Sequence, residues 1–167
     1  SDTHIRNSMT SKRSDMTRII AATIFVGMLS LPYCTWIFYK FGLSLYFIVA
    51  TDIMLAVCLW ITIKQRCTLK NMDFIQGNLV DVAEKLNKVK THYHEWIKIG
   101  LPLILLWVSW LAYEVLTNME PSPMQVGFLS GSAVGVIIGG FVGYRINRKI
   151  VAKSAEILKQ IQELQNI

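Results

Sequence analysis

The segment GFLSGSAVGVIIGGFVGYR (residues 127–145) has a glycine at every fourth position. Glycine inside a soluble helix costs about 0.5–1 kcal/mol relative to alanine, so this spacing is unfavourable in water. In a lipid bilayer, helices associate by close backbone contact, and glycines four residues apart let a second helix approach. The segment therefore predicts a transmembrane helix with a packing face. The residues of this glycine face are Gly127, Gly131, Gly135, Gly139 and Gly143.

Three uses of the glycine face are open at the level of sequence. The first is packing against another helix of the same subunit, the second is a glycine zipper that joins copies of the chain, and the third is the lining of a pore. In each case the glycines serve packing and not chemistry.

The composition extends the membrane interpretation to the whole chain. Of the 167 residues, 53% are hydrophobic and only 17% are charged. A span needs about 17–25 mostly apolar residues, and four segments reach that length. We expect an all-α polytopic membrane protein, with the first segment a span and not a signal peptide. The four segments are residues 18–40, 43–64, 99–116 and 124–144.

The basic residues predict the orientation. All but one of the 17 Lys and Arg residues lie in residues 1–18, 64–98 or 145–167, and the exception is Lys40. The positive-inside rule then puts both termini and the central segment in the cytoplasm of a bacterial inner membrane. The net charge of +6 fits the anionic inner leaflet, and nucleic acid is not an expected partner.

These assignments divide the chain into five parts. Residues 1–17 are a cytoplasmic arm, 18–64 the first transmembrane hairpin, and 65–98 a cytoplasmic helix that begins after a turn at Gly77–Asn78. Residues 99–144 form the second hairpin, and 145–167 a cytoplasmic C-terminal helix. Both cytoplasmic helices carry a coiled-coil-like seam, and the seams meet each other or copies of themselves. The seam residues are Leu79, Val82, Leu86, Val89, Tyr93, Ile150, Ile157, Ile161 and Leu164, with Ser154 among them.

Asp52 is the candidate functional residue, because it lies near the middle of the second span. A carboxylate there costs several kcal/mol unless it is paired, protonated or hydrated. It is a proton or cation site, or a polar clamp to a neighbouring helix. The hydroxyls that could partner it are those of Ser30, Thr35, Thr51 and Ser109.

The other polar residues give weaker signals. Glu114, near the end of its span, is expected to reach the membrane interface. His92 and His94 are two positions apart on a helix, so their side chains point apart and a shared metal is not expected. The cysteines (Cys34, Cys58 and Cys67) are expected to be small buried hydrophobes. The sequence contains no phosphate-binding loop, HExxH or GxSxG, so we expect no enzyme activity and no cofactor.

Three segments together resemble a known group of proteins. They are LPYCTWIFYKFG (31–42) with the following LYFIVATDIMLAV (45–57), HYHEWIKIGLPLILLW (92–107) and GSAVGVIIGGFVGYRINRKI (131–150). The pattern is similar to that of small four-span membrane proteins of Bacteroidales, which are largely uncharacterised and often encoded beside extracytoplasmic-function sigma factors. The resemblance runs from about residue 18 to 164. It implies a regulatory role at the membrane, such as holding a sigma factor, and no catalytic residues.

The sequence thus predicts a non-enzymatic interaction or regulatory module of the inner membrane. We expect it to self-associate and to have a possible cytoplasmic protein partner. The alternative is a small ion or proton channel or transporter that uses Asp52 and the glycine face.

Overall fold

The computed structural model describes residues 2–75 and 77–166, and this part of the chain folds into four α-helices. All four are long and apolar enough to cross a membrane. The described residues contain no strand, so the predicted all-α class is confirmed, and the apolar helices fit a multi-pass membrane protein. The helices are α1 (Asp2–Lys40), α2 (Leu45–Lys70), α3 (Leu79–Asn118) and α4 (Pro123–Gln165).

The N-terminal arm is helical, which the sequence analysis did not predict. Helix α1 begins at Asp2, and its first part buries Met9 and Met16 completely. These two methionines are seven residues apart and share one helix face. Ile5, on the same face, is partly buried against the same core. Three large apolar side chains among many Ser, Thr and charged residues give a weak periodic signal.

A glycine turn joins α1 to α2. Gly42 has φ 76°, a left-handed conformation that other residues rarely adopt. Its N–H donates to Tyr39 O and that of Leu43 donates to Phe38 O, both at 3.1 Å. This is a Schellman motif. Phe38 and Leu43, which belong to the same buried cluster, provide its hydrophobic contact.

The chain divides into two compact units, and each helix contributes to both. We call Ser1–Ile24, Ile61–Trp96 and Arg145–Ile167 the amphipathic unit. We call Phe25–Trp60 and Ile97–Tyr144 the apolar unit. Each unit has its own buried cluster.

The core of the amphipathic unit unites both predicted seams. Leu79, Tyr93 and Leu164 are partly buried and pack against it. The two seams therefore meet within one chain, and α1 and α2 complete the core. The buried residues of this cluster are Met9, Met16, Ile20, Leu69, Met72, Phe74, Val82, Leu86, Val89, Ile150, Ile157 and Ile161.

Helices α1 and α4 of this unit run antiparallel, and polar pairs join them. Gln160 Nε2 donates to Ser8 Oγ at 3.2 Å. The Lys12 and Glu156 side chains are 3.6 Å apart, and those of Lys153 and Asp15 are 3.4 Å apart. Such partly exposed pairs contribute little each, so they set the alignment of the helices more than their stability.

Two arginines of α1 hold the connection between α2 and α3. Arg6 Nη1 donates to Phe74 O at 2.8 Å, and Arg13 Nη1 donates to Met72 O. A side chain at Gly77 would collide with the carbonyl oxygen of Asp73. Asn78 Oδ1 then accepts the N–H of Val80 at 3.0 Å and caps α3. The turn predicted at Gly77–Asn78 thus precedes the helix.

Candidate functional site

Aromatic rings fill the centre of the apolar unit. The rings of Phe47 and Trp107 are stacked with centroids 5.8 Å apart, and the Phe38 ring lies 5.2 Å from that of Phe47. The buried members of this cluster are Phe38, Leu43, Phe47, Ile48, Leu111 and Val115. Several polar side chains of the unit form hydrogen bonds between neighbouring helices.

Asp52 binds Thr35, a residue of α1. The Thr35 hydroxyl oxygen lies 2.7 Å from Asp52 Oδ1 and 2.9 Å from Oδ2. Asp52 is half-buried. The carboxyl group therefore joins the second span to the first in the manner of a polar clamp.

The other proposed partners of Asp52 have different contacts. Trp107 Nε1 donates to Thr51 Oγ1 at 2.9 Å, which links α2 to α3. The hydroxyls of Ser30 and Ser109 donate to carbonyl oxygens of their own helices, each at 2.8 Å. Of the four hydroxyls that the sequence offered, the structure selects Thr35.

The Thr35 hydroxyl has more acceptors nearby than hydrogens to donate. The Thr35 hydroxyl also lies 3.0 Å from Leu31 O, yet it carries a single hydrogen. That hydrogen is donated either to the Asp52 carboxyl group or to Leu31 O, so the two acceptors share one donor.

Glu114 is a site that the sequence analysis missed. It was expected to reach the membrane interface, but its side chain is buried and the residue is only 6% exposed. Ser44 Oγ donates to its Oε1 at 2.6 Å, and Trp110 Nε1 donates to the same oxygen at 3.1 Å. The amide of Asn118 donates to Oε2 at 2.5 Å. These donors take the place of water around the buried carboxyl group.

Glu114 also orders the start of α2. Ser44 precedes the first residue of that helix, and its Oγ accepts the N–H of Phe47 at 3.3 Å. The backbone N–H of Ser44 donates to Glu114 Oε2 at 3.3 Å. A carboxyl group next to a helix N-terminus interacts favourably with its unpaired N–H groups. The spacing of Trp110, Glu114 and Asn118, four residues apart, is the sequence signal that could have revealed this group.

A buried glutamine joins α3 to α4. Gln125 Nε2 donates to Val115 O at 3.2 Å and to Met119 O at 3.4 Å, both near the end of α3. Together with the contacts of Asp52 and Thr51, this bond gives every pair of consecutive helices a polar link.

The glycine face is uncovered in the chain. A Cβ atom added at any of its five glycines, or at Gly140, would meet nothing within 4 Å. Packing against another helix of the same subunit is therefore not the use that the structure supports. Within the apolar unit, α4 packs through Phe128, whose ring contacts those of Phe38 and Phe41.

Part of the glycine face borders a groove of ≈ 500 Å³. Gly127, Gly131 and Gly135 of α4 line part of it, and residues of α1 and α3, among them Tyr33 and Trp107, line the rest. Four residues turn a helix by about 40° more than a full turn. The glycines therefore wind around α4, and only the first three border this groove.

The remaining candidates show no metal chemistry. The described residues contain no group of three metal-ligating side chains. Cys34 and Cys58 are half-buried, Cys67 is exposed, and none forms a disulfide. The expectation of a buried residue is wrong for Cys67.

His92 and Tyr93 pack within the amphipathic unit. The His92 ring lies 5.7 Å from that of Trp96, and burial lowers the pKa of His92. Burial also raises the pKa of Tyr93 to about 12. Both shifts favour the neutral form, as expected for packing residues.

Comparisons of the chain with protein families, with curated proteins and with solved structures found no match.

Proposed function

We propose that this protein is a non-enzymatic interaction or regulatory module of the bacterial inner membrane that assembles through its glycine face. The observation that carries the proposal is the uncovered glycine face of α4. The Asp52, Thr51 and Gln125 side chains link neighbouring helices by hydrogen bonds, which suits a structural module better than a reaction centre.

The energetics of α4 support a second copy of the chain as the occupant of this face. Each glycine costs about 0.5–1 kcal/mol in a helix, and no contact within the chain compensates for it. Close backbone packing between two copies would do so. Because the glycines wind around α4, a partner helix follows them best in a right-handed crossing of about −40°.

The test compares two substitutions on α4 in nanodiscs or mild detergent. Gly135→Leu places a large side chain where the neighbouring backbone would lie, so we expect it to abolish the oligomer. Ile137→Leu changes a side chain that is 70% exposed, and we expect the oligomer to persist. The oligomeric state is measured by light scattering and cross-linking. Equal behaviour of both variants would refute a role for the glycines.

The orientation belongs to the same proposal. The distribution of Lys and Arg supports both termini and the 65–98 segment in the cytoplasm. A reporter fused after Ile167 should then be cytoplasmic, and one inserted within residues 120–123 should be external. The opposite pattern would reverse every assignment. In this orientation a cytoplasmic protein partner would meet the amphipathic unit, and the resemblance to Bacteroidales proteins suggests a sigma factor.

A small proton or cation transporter is the second candidate, and the intramembrane Asp52 favours it. A clamp needs hydrogen bonds but no charge, so Asp52→Asn should keep the fold and the oligomer. Transport needs an ionisable group, so the same variant should abolish flux in reconstituted vesicles. We expect no flux even from the unmodified protein. Flux that disappears in Asp52→Asn would replace the module with the transporter.

A further inference from the structure

Helix α4 carries a basic face immediately after its apolar run in the sequence. Arg145, Arg148 and Lys149 are exposed, and their spacing of three and four residues places them on one side of the helix. Asn147 and Ile150, between and beside them, are buried. The basic face is therefore opposite the side that packs into the amphipathic unit.

Two of the three charges of this face have no carboxylate partner in the part of the chain that the structure describes. Among the described residues, no carboxylate forms an ion pair with Arg148 or Lys149. Other lysines of the unit do have partners: Lys85 lies 3.2 Å from Asp81, and Lys153 lies 3.4 Å from Asp15.

Acidic residues begin only farther along the same side of α4. Glu156 is the next carboxylate there, seven residues after Lys149. That separation is about 10 Å along the helix axis, which is close to the screening length of about 8 Å in physiological salt. Arg148 and Lys149 thus lie in a stretch of α4 that has no acidic residue of its own.

We propose that this basic face binds the phosphate headgroups of anionic phospholipids. An arginine presents two N–H groups to one phosphate, and a neighbouring lysine adds a point charge. Basic clusters directly following a transmembrane helix are well placed for such headgroups. The inference rests on the bilayer placement in the proposed function, but not on self-association.

The experiment measures lipid selectivity of the full chain. The purified protein is stripped of lipid and given equal amounts of phosphatidylglycerol and phosphatidylcholine with the same acyl chains. Native mass spectrometry then counts the retained lipids of each kind. We expect a preference for phosphatidylglycerol, which Arg148→Gln with Lys149→Gln lowers by about ten-fold, since each charge near the surface contributes a factor of several.

The matched control is Lys159→Gln, which removes a charge from the same side of α4 next to acidic residues. It should keep the lipid preference within about two-fold, because Glu156 and Glu163 offset the field there. An unchanged preference in the double variant, or none in the unmodified protein, would overturn the proposal. Displacement of the lipid by millimolar inorganic phosphate would also overturn it, by indicating a site for free anions. The lipids are counted per chain, so this test does not require an oligomer. If Gly135→Leu shows that self-association fails, the lipid preference can still be measured and judged separately.

Discussion

The same four helices build two units that are held together differently. In the amphipathic unit, aliphatic and methionine side chains from all four helices lie in one buried cluster. In the apolar unit, large hydrophobic residues such as Leu105 and Leu106 are exposed, and polar side chains connect neighbouring helices.

This difference is the one expected between a unit packed for water and a unit packed for lipid. Water favours burial of apolar surface, so a water-exposed unit hides its seam. Lipid is as apolar as leucine and gives no such drive, so helices within it depend on packing and hydrogen bonds. Helix α4 is the extreme case, since none of its most apolar 18-residue stretch is buried, compared with 22% for α3.

The strongest way to test the contrast is to truncate a leucine in each unit. Leu86 is fully buried, so Leu86→Ala should leave a cavity and lower the free energy of unfolding by about 2–5 kcal/mol. Leu105 is 65% exposed, so Leu105→Ala should change stability by less than about 0.5 kcal/mol. Hydrogen exchange of the full chain in nanodiscs measures both. A similar cost at the two sites would contradict the division.

A smaller effect is expected from the buried carboxyl group of the apolar unit. Glu114→Gln keeps the shape of the side chain but replaces an acceptor oxygen with an N–H₂ group that faces donors. We expect a loss of about 1–3 kcal/mol and faster amide exchange at the start of α2. Thermal unfolding measures the loss of stability, and hydrogen exchange of the Phe47 amide measures the loosening of α2. Glu120→Gln, at an exposed residue, serves as the control and should be silent.

The smallest effect has the opposite sign. Ser154 is fully buried in the seam of α4, and its hydroxyl has no hydrogen-bond partner in the described structure. Ser154→Ala removes this unpaired group and should raise the free energy of unfolding by about 1 kcal/mol. Ser11→Ala, at an exposed position of α1, controls for helix propensity. A destabilised Ser154→Ala would mean that the hydroxyl contributes a contact of its own.

Sequence alone determined the features that depend on local pattern. Hydropathy and length identified four apolar helices, because a span needs a long uninterrupted apolar run. The three-and-four spacing identified the seams of α3 and α4, because a helix presents such residues on one side. The same rule was not applied successfully to the start of α1, where Ile5, Met9 and Met16 mark the buried side among many polar residues.

Only the tertiary structure decided which polar groups meet and which faces stay open. Four hydroxyls were available to Asp52, and the rotation of each helix about its axis left Thr35 within reach. Glu114 is buried because the turn before α2 brings Ser44 to it from 70 residues away. The glycines of α4 looked like an internal contact, yet no described residue lies within 4 Å of where their Cβ atoms would be. Periodicity defines a face, but only the placement of the neighbouring helices determines what covers it.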